Sequence, residues 1–341
     1  MPALAEIIDA LPLPALVVGT GEQLVAANAA ALRLLPPGSL GRPLALALRA
    51  ADFLDGVAET MAGGPARELR LRLVQDGAEH VYLVTLAGLG QGEARQVLCT
   101  FRDTSAEEAA EAMRRDFVAN VSHELRTPLT ALSGFIETLQ GPARDDPGAR
   151  ERFLSIMARE AGRMNRLVRD LLQLSRVEAE ERVRPRDPVD LAAVLASVRS
   201  TLRPVAEGLG STVRIDAPAG AIPVPGDHDQ LVQVFSNLME NALKYGTAGQ
   251  EVRVTVTREP SFRGPAVRVA VADRGEGIDP VHLPRLTERF YRVDSHRSRE
   301  KGGTGLGLAI VKHIVARHRG WLKIDSVKGE GSTFTVILPV V

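Results

Sequence analysis

The chain has 341 residues, 45% of them hydrophobic, which is enough to bury more than one core and suggests two or three domains. Lysine plus arginine and aspartate plus glutamate number 42 each, so the formal charge is zero, and neither a nucleic-acid-binding basic surface nor an acidic solvating tail is expected. The single cysteine, Cys99, excludes an internal disulfide framework and an all-cysteine metal site.

No stretch approaches the roughly 18 consecutive apolar residues of a membrane helix. The richest early run, residues 11–19, is short, contains Pro12 and Pro14, and lacks the basic start of a secretory signal. A soluble, cytoplasmic chain without a membrane segment is the expectation. Short runs at 15–18, 69–73 and 80–84 read as strands, and Ala-rich stretches around Asn28 and at 53–61 read as helices. Residues 1–104 therefore predict a small mixed α/β domain, with Cys99 a buried hydrophobe in the apolar run 96–101. Ser105-Ala106-Glu107-Glu108 has the spacing of a capping box, and a long helical pattern follows.

In that pattern Val118, Val121, Leu125, Pro128, Leu132, Phe135 and Leu139 recur at alternating spacings of three and four. After a Gly- and Pro-rich break at 141–148, a second seam runs through Leu154, Met157, Ala161, Met164, Val168 and Leu171. Two such helices with a short connection predict an antiparallel hairpin over 105–181. Its apolar surface exceeds what two helices cover, so two hairpins pairing into a dimeric four-helix bundle is the natural completion. Residues 182–188 read as a linker. From 189 to 341 the pattern is α/β, with helices at 191–203, 228–245 and 305–318 and strands near 212–215, 252–257, 267–272, 322–327 and 333–338.

On the first long helix, taking Val118 and Leu125 as successive a positions puts His123 at f, away from the seam. Thr127 lies one turn on, on the same face. Pro128 removes one backbone hydrogen bond and permits a bend beside His123. An exposed imidazole with a pKa near ~6.5 is largely neutral at physiological pH and can act as a nucleophile, and Glu124 next to it can accept or orient its proton. The run Ser122-His123-Glu124-Leu125-Arg126-Thr127-Pro128 resembles the H-box of bacterial two-component sensor histidine kinases. That resemblance implies autophosphorylation on His123 with Glu124 assisting. It also implies a phosphatase role for Thr127, an aspartate on a response regulator receiver domain as phosphoryl acceptor, and a homodimer.

Four downstream segments extend the resemblance. In 237–245, Asn237, Asn241 and Lys244 share one helix face, and amide oxygens are compatible with Mg²⁺; a solvated polar stripe is the alternative. The segment resembles the family's N-box, which assigns Asn241 to Mg²⁺, Lys244 to phosphate, Asn237 to their support and Tyr245 to the adenine flank. Asp273-Arg274-Gly275-Glu276-Gly277 reads as a turn after a strand. As a G1-box it implies that Asp273 accepts from the adenine amino group while Gly275 and Gly277 let the backbone approach the base. The charged stretch 286–301 reads as a surface loop or a lid. Its resemblance to the F-box assigns Phe290 to lid packing and makes Arg292 and Arg297 polyphosphate candidates.

Gly302-Gly303-Thr304-Gly305-Leu306-Gly307 opens a helix whose N-terminus favours phosphate. It is not a P-loop, since no Gly-Lys-Ser/Thr follows. It resembles the G2-box, bringing Gly303, Gly305, Leu306 and Gly307 to the nucleotide, and 329–334, with Thr333, resembles the last glycine turn of the same Bergerat-type ATP-binding domain. ATP and Mg²⁺ are the implied cofactors. The runs 285–294 and 310–315 are similar to the phosphate-regulon sensor kinase branch, and 11–18 followed by Asn28 resembles the start of a PAS domain. The fold class expected is thus multidomain α+β: a PAS-like domain, a helical hairpin and an α/β sandwich. His80, His228, His282, His296, His313 and His318 show no metal-ligand spacing, and exposed or helix-end roles are expected for them. A clamp-type ATPase and a non-catalytic dimer scaffold are the competing readings. The outward His123–Glu124 pair argues against the first, and the intact nucleotide segments argue against the second.

Overall fold

A computed structural model describes residues 4–181, 183–261, 264–294 and 303–340, which divide into two units, Met1–Ala119 and Asn120–Val341. In the first unit, β1 (Ala15–Val18), β2 (Leu24–Ala27), β3 (Arg67–Gln75), β4 (Ala78–Leu89) and β5 (Gln96–Asp103) form an antiparallel sheet of order β2-β1-β5-β4-β3. Every residue of β1 is buried, which explains an unbroken apolar run where a half-exposed strand would alternate. Helices α2 (Ala29–Leu32), α3 (Leu44–Ala47) and α4 (Ala51–Met61) accompany a core of Leu16, Phe53, Val57, Leu71, Val84, Leu86, Cys99 and Phe101. On the opposite side, Ile8 of α1 (Leu4–Asp9) packs with Ala15 and Val17.

Asn28 ties these pieces together. Its Oδ1 accepts from Ala31 N (2.9 Å), capping α2, and from Ala15 N (3.1 Å), while Nδ2 donates to Leu13 O (2.9 Å) and Ile8 O (3.2 Å). The box expected at Ser105 does not form. Helix α5 (Ser105–Gln140) starts one residue earlier than a Ser105 cap would allow, because Glu108 N already donates to Thr104 O. The Ser105 hydroxyl instead accepts from Val81 N (2.8 Å), and Asp103 accepts from Ser105 N (2.9 Å).

In the second unit α5 runs on without interruption through Pro128, which is buried. Helix α6 (Pro147–Glu180) begins inside the expected break: Asp146 caps it by accepting from Ala149 N (2.9 Å), and Pro147 fills the first turn, where a missing N–H is harmless. Phe135 and Phe153 stack across the hairpin at 5.1 Å. On the single hairpin the seam expected on α6 stays partly open, and a second line is the more buried one. Leu167, Leu174 and Val177 are its buried large residues, whereas Leu154 and Val168 are 51% and 44% exposed. The reason is that α6 has a second neighbour, the helix α9 (Gly307–Arg317), so its most buried line is the one facing the α/β layer.

That layer is a sheet of β7 (Thr212–Asp216), β9 (Glu251–Ser261), β10 (Gly264–Ala272), β11 (Trp321–Val327) and β12 (Gly331–Pro339), in the order β11-β12-β10-β9-β7, with only β7–β9 parallel. The alternation of Val267, Val269 and Val271 buries one face of β10. Helices α7 (Leu191–Gly208), α8 (His228–Tyr245) and α9 supply the second layer, with Val194, Val198, Leu231, Val234, Phe235, Leu238, Ile310 and Ile314 buried. A small pair, β6 (Pro188–Asp190) with β8 (Pro223–Pro225), takes in the last residue of the expected linker. Helix α7 passes through Pro204, where the sequence predicts a stop. Leu202 and Ala206, buried on either side of the proline, offset the ~3 kcal/mol that an interior proline costs. No described helix is long and apolar enough to cross a membrane.

Candidate functional site

A cavity of about 410 Å³ opens between α8, the turn after β10, the glycine turn before α9 and one face of α6. Helix α8 is amphipathic: Leu231, Val234, Phe235, Leu238, Met239 and Ala242 enter the core, leaving Asn237, Asn241 and Lys244 on the cavity wall with Tyr245 at the helix end. Lys244 is held along its own helix by Glu240 (Nζ–Oε2 3.0 Å). Asn237 abuts the start of α9 so closely that a Cβ on Gly307 would lie 3.1 Å from its Oδ1.

Asp273 follows the buried strand β10. Its Oδ1 accepts from Gly275 N (2.8 Å) and Ser332 N (3.3 Å), fixing the carboxylate at the cavity, and burial raises its pKa above the ordinary carboxylate value despite those bonds. The glycines of this turn are required by contacts within the chain. A Cβ at Gly275 would meet Tyr245 O at 2.5 Å, and one at Gly277 (φ +63°) would meet Val327 O at 2.0 Å. Gln250, a residue outside every motif, joins the turn to α8: Nε2 donates to Ala242 O (2.8 Å) and Oε1 accepts from Arg274 N (2.6 Å).

At the other end of the cavity Phe290, in the left-handed region at φ +64°, donates its N–H to Gly305 O (2.9 Å). The N-cap of α9 is Leu306, with no side-chain cap, so the helix's positive end faces the lining residues Gly305, Gly307 and Leu308 without a competing side chain from its own cap. Tyr291 is fixed by His282 Nδ1 (2.6 Å to its hydroxyl) and by the Arg285 guanidinium 4.3 Å over its ring.

Several sequence-predicted residues fall elsewhere. Leu306 is fully buried and does not line the cavity, nor does Gly275. Thr333 lies on the opposite side of β12 from Ser332 and Phe334, which do line it, as strand alternation requires. Arg292 borders the cavity, but its guanidinium is turned onto Glu124 of α5 (Nη2–Oε2 3.2 Å), where Arg163 also binds (2.5 Å). Arg297 lies outside the described residues, as does His296. Three further wall residues, Arg166, Arg169 and Asp170, come from the hairpin helix α6 and belong to no nucleotide motif.

His123 is exposed on α5, and the Thr127 hydroxyl donates to the His123 carbonyl at 3.2 Å. His318 takes a helix-end role, as expected, at the C-cap of α9, where it is fully buried: Nδ1 donates to Ile314 O (2.8 Å) and Nε2 accepts from Asp227 N (3.0 Å), with desolvation lowering its pKa. The acidic end of α6 docks on basic groups of the α/β layer, with Glu178 on Arg289 (2.7 Å), Glu180 on Arg317 (3.0 Å) and Glu181 on His313 (2.8 Å).

Amides, a lysine, an oriented carboxylate and an uncapped helix N-terminus around a cavity of this volume are a donor set suited to a nucleotide. No cluster of three or more His, Cys, Asp or Glu among the described residues is arranged to hold a metal ion by itself. A Mg²⁺ that takes most of its ligands from phosphate and water needs no such cluster.

Comparison with known proteins agrees with this geometry. Residues 226–341 match the histidine kinase-, DNA gyrase B- and HSP90-like ATPase family, residues 113–180 the His Kinase A (phospho-acceptor) domain, and residues 8–109 the PAS fold. The phosphate regulon sensor protein PhoR of Pseudomonas aeruginosa is 46% identical over 241 residues, 71% of this chain and 53% of that protein. The sensor-like histidine kinase SenX3 of Mycolicibacterium smegmatis is 42% identical over 246 residues, covering 72% of this chain and 62% of the relative. The sensor protein kinase WalK of Staphylococcus aureus is 38% identical over 242 residues, 71% of this chain and 57% of the relative. The chain thus spans between half and two thirds of the length of these relatives. The solved histidine kinase ThkA, in complex with response regulator protein TrrA, shares the fold over 98% of both chains at a TM-score of 0.53 and 20% identity. The chain carries PAS, phospho-acceptor and ATPase modules and belongs to the two-component sensor histidine kinases, in the PhoR-like branch.

Proposed function

We propose that the chain is an ATP-dependent protein-histidine kinase that phosphorylates itself on His123 and passes the phosphoryl group to an aspartate of a response regulator. One observation carries this reading: a nucleotide-type cavity and an exposed His123 on a phospho-acceptor helix occur in the same unit of one chain. ATP with Mg²⁺, when bound, supplies the phosphoryl group and neutralises its charge. The exposed imidazole of His123 offers one ring nitrogen to the γ-phosphorus as its bond to the bridging oxygen breaks and ADP leaves, and Glu124 takes up or orients the proton on the other nitrogen. Asn241 holds the metal, Asn237 supports it, Lys244 and the α9 N-terminus bind phosphate, and Asp273 with Tyr245 holds the adenine. Thr127, exposed one turn beyond His123, suits the reverse direction by orienting water toward a phospho-aspartate on the partner.

Leu129, Ile136, Leu154, Val168 and Leu172 stay exposed on the single hairpin, which supports a homodimer that buries them. The likeness to PhoR supports a role in phosphate-regulon signalling.

The test is incubation with γ-labelled ATP and Mg²⁺. An acid-labile, base-stable label that His123→Gln abolishes while nucleotide binding persists is the expected result. Hydrolysis of ATP without any label on the protein would instead favour a clamp-type ATPase.

A further inference from the structure

Helix α6 belongs to the hairpin, yet Asp170 on it reaches the nucleotide cavity and makes a specific bond there. Its Oδ2 accepts from the Thr304 hydroxyl at 2.6 Å, and the same hydroxyl oxygen accepts from Leu306 N at 3.3 Å. Thr304 is buried in the glycine turn, so a hairpin carboxylate is tied directly to the backbone that opens α9. The positive end of that helix is where the site favours an anion. Asp170 already occupies part of that field. Burial raises its pKa, the Thr304 bond and Arg169 act against that shift, and Glu240 on the facing α8 adds a second negative charge while Lys244 offsets it.

We propose that Asp170 is a specificity-determining residue of the nucleotide site, contributed by the hairpin, which sets the site's discrimination between nucleotides of different phosphate charge. An anion using the α9 N-terminus meets a fixed carboxylate of like sign, so each added phosphate charge weakens binding to this docked arrangement. The neutral adenosine end of the ligand is indifferent to Asp170. The inference rests on the reading of the cavity as an ATP site.

Asp170→Asn keeps an acceptor for Thr304 and removes only the charge, while Asp170→Glu keeps the charge. The experiment is calorimetric titration of the full chain, with Mg²⁺ present, using a non-hydrolysable ATP analogue, ADP and adenosine. Hydrogen exchange at Leu306 without nucleotide checks that the turn stays closed. For Asp170→Asn, affinity for the ATP analogue should rise about three- to tenfold, ADP should gain less and adenosine should not change. Asp170→Glu should behave as the wild type. An equal change for all three ligands, or none, would overturn the role of Asp170, as would a gain in Asp170→Glu matching that in Asp170→Asn. Absence of binding by any of the three ligands to the wild-type chain would instead overturn the nucleotide site itself.

Discussion

Gly277 offers a test of how tightly the turn after β10 is pressed against the β11–β12 hairpin. Its φ is +63°, and an alanine Cβ would lie 2.0 Å from Val327 O and 2.6 Å from the carbonyl carbon. Gly329, in the facing turn, has φ +89° but nothing within 4 Å of its hypothetical Cβ. Both positions impose on alanine the left-handed penalty of ~1–2 kcal/mol. Only Gly277→Ala adds the shift of a strand-end backbone, about 1–3 kcal/mol by analogy with overpacking. Gly329→Ala should therefore lose ~1 kcal/mol and Gly277→Ala ~3 kcal/mol. Trp321, the chain's single tryptophan, sits in β11 of the same sheet and reports urea unfolding of that layer directly. Because Gly277 also lines the cavity, its variant should bind nucleotide more weakly at concentrations of urea where it is still folded. Equal losses for the two variants, within ~0.5 kcal/mol, would refute the close approach.

His318 makes stability depend on pH. Its folded pKa lies below the ordinary 6.5, so the folded state binds fewer protons than the unfolded one in the window between the two values. The contribution is complete above 6.5 and is lost as pH falls through that window; the urea midpoint, followed by Trp321, should drop there, with a flatter profile in His318→Gln. Asn28→Ala removes the side-chain partner of Ala15 N, Ala31 N and Leu13 O around α2 and β1 and should lower the stability of the first unit by ~3 kcal/mol, measured by calorimetry. Asp146→Ala removes the α6 cap and should cost ~1 kcal/mol, with Asp146→Ser recovering most of it; no difference between the two in thermal melting would remove the cap's role.

Local patterns carried the sequence a long way. The 3-and-4 spacing announced the two long helices, and the runs 228–245 and 267–272 announced α8 and β10, because each of these signals is a backbone period decided within a few residues. The glycine turns were visible too, although not what their missing Cβ atoms make room for. What stayed hidden depends on residues far apart in the chain. Gln250 joins Ala242 to Arg274, Arg292 turns to Glu124 across 168 positions, and Asp170 reaches Thr304 across 134. A second buried line on α6, through Leu167, Leu174 and Val177, goes with a second neighbour, α9, which no single-helix period encodes. The long helices, several of the strands, the outward histidine and the residue types of the candidate nucleotide site were legible in the sequence. The tertiary structure alone decided which charges meet, because ion pairs and hydrogen bonds between elements depend on packing distance, not on spacing along the chain.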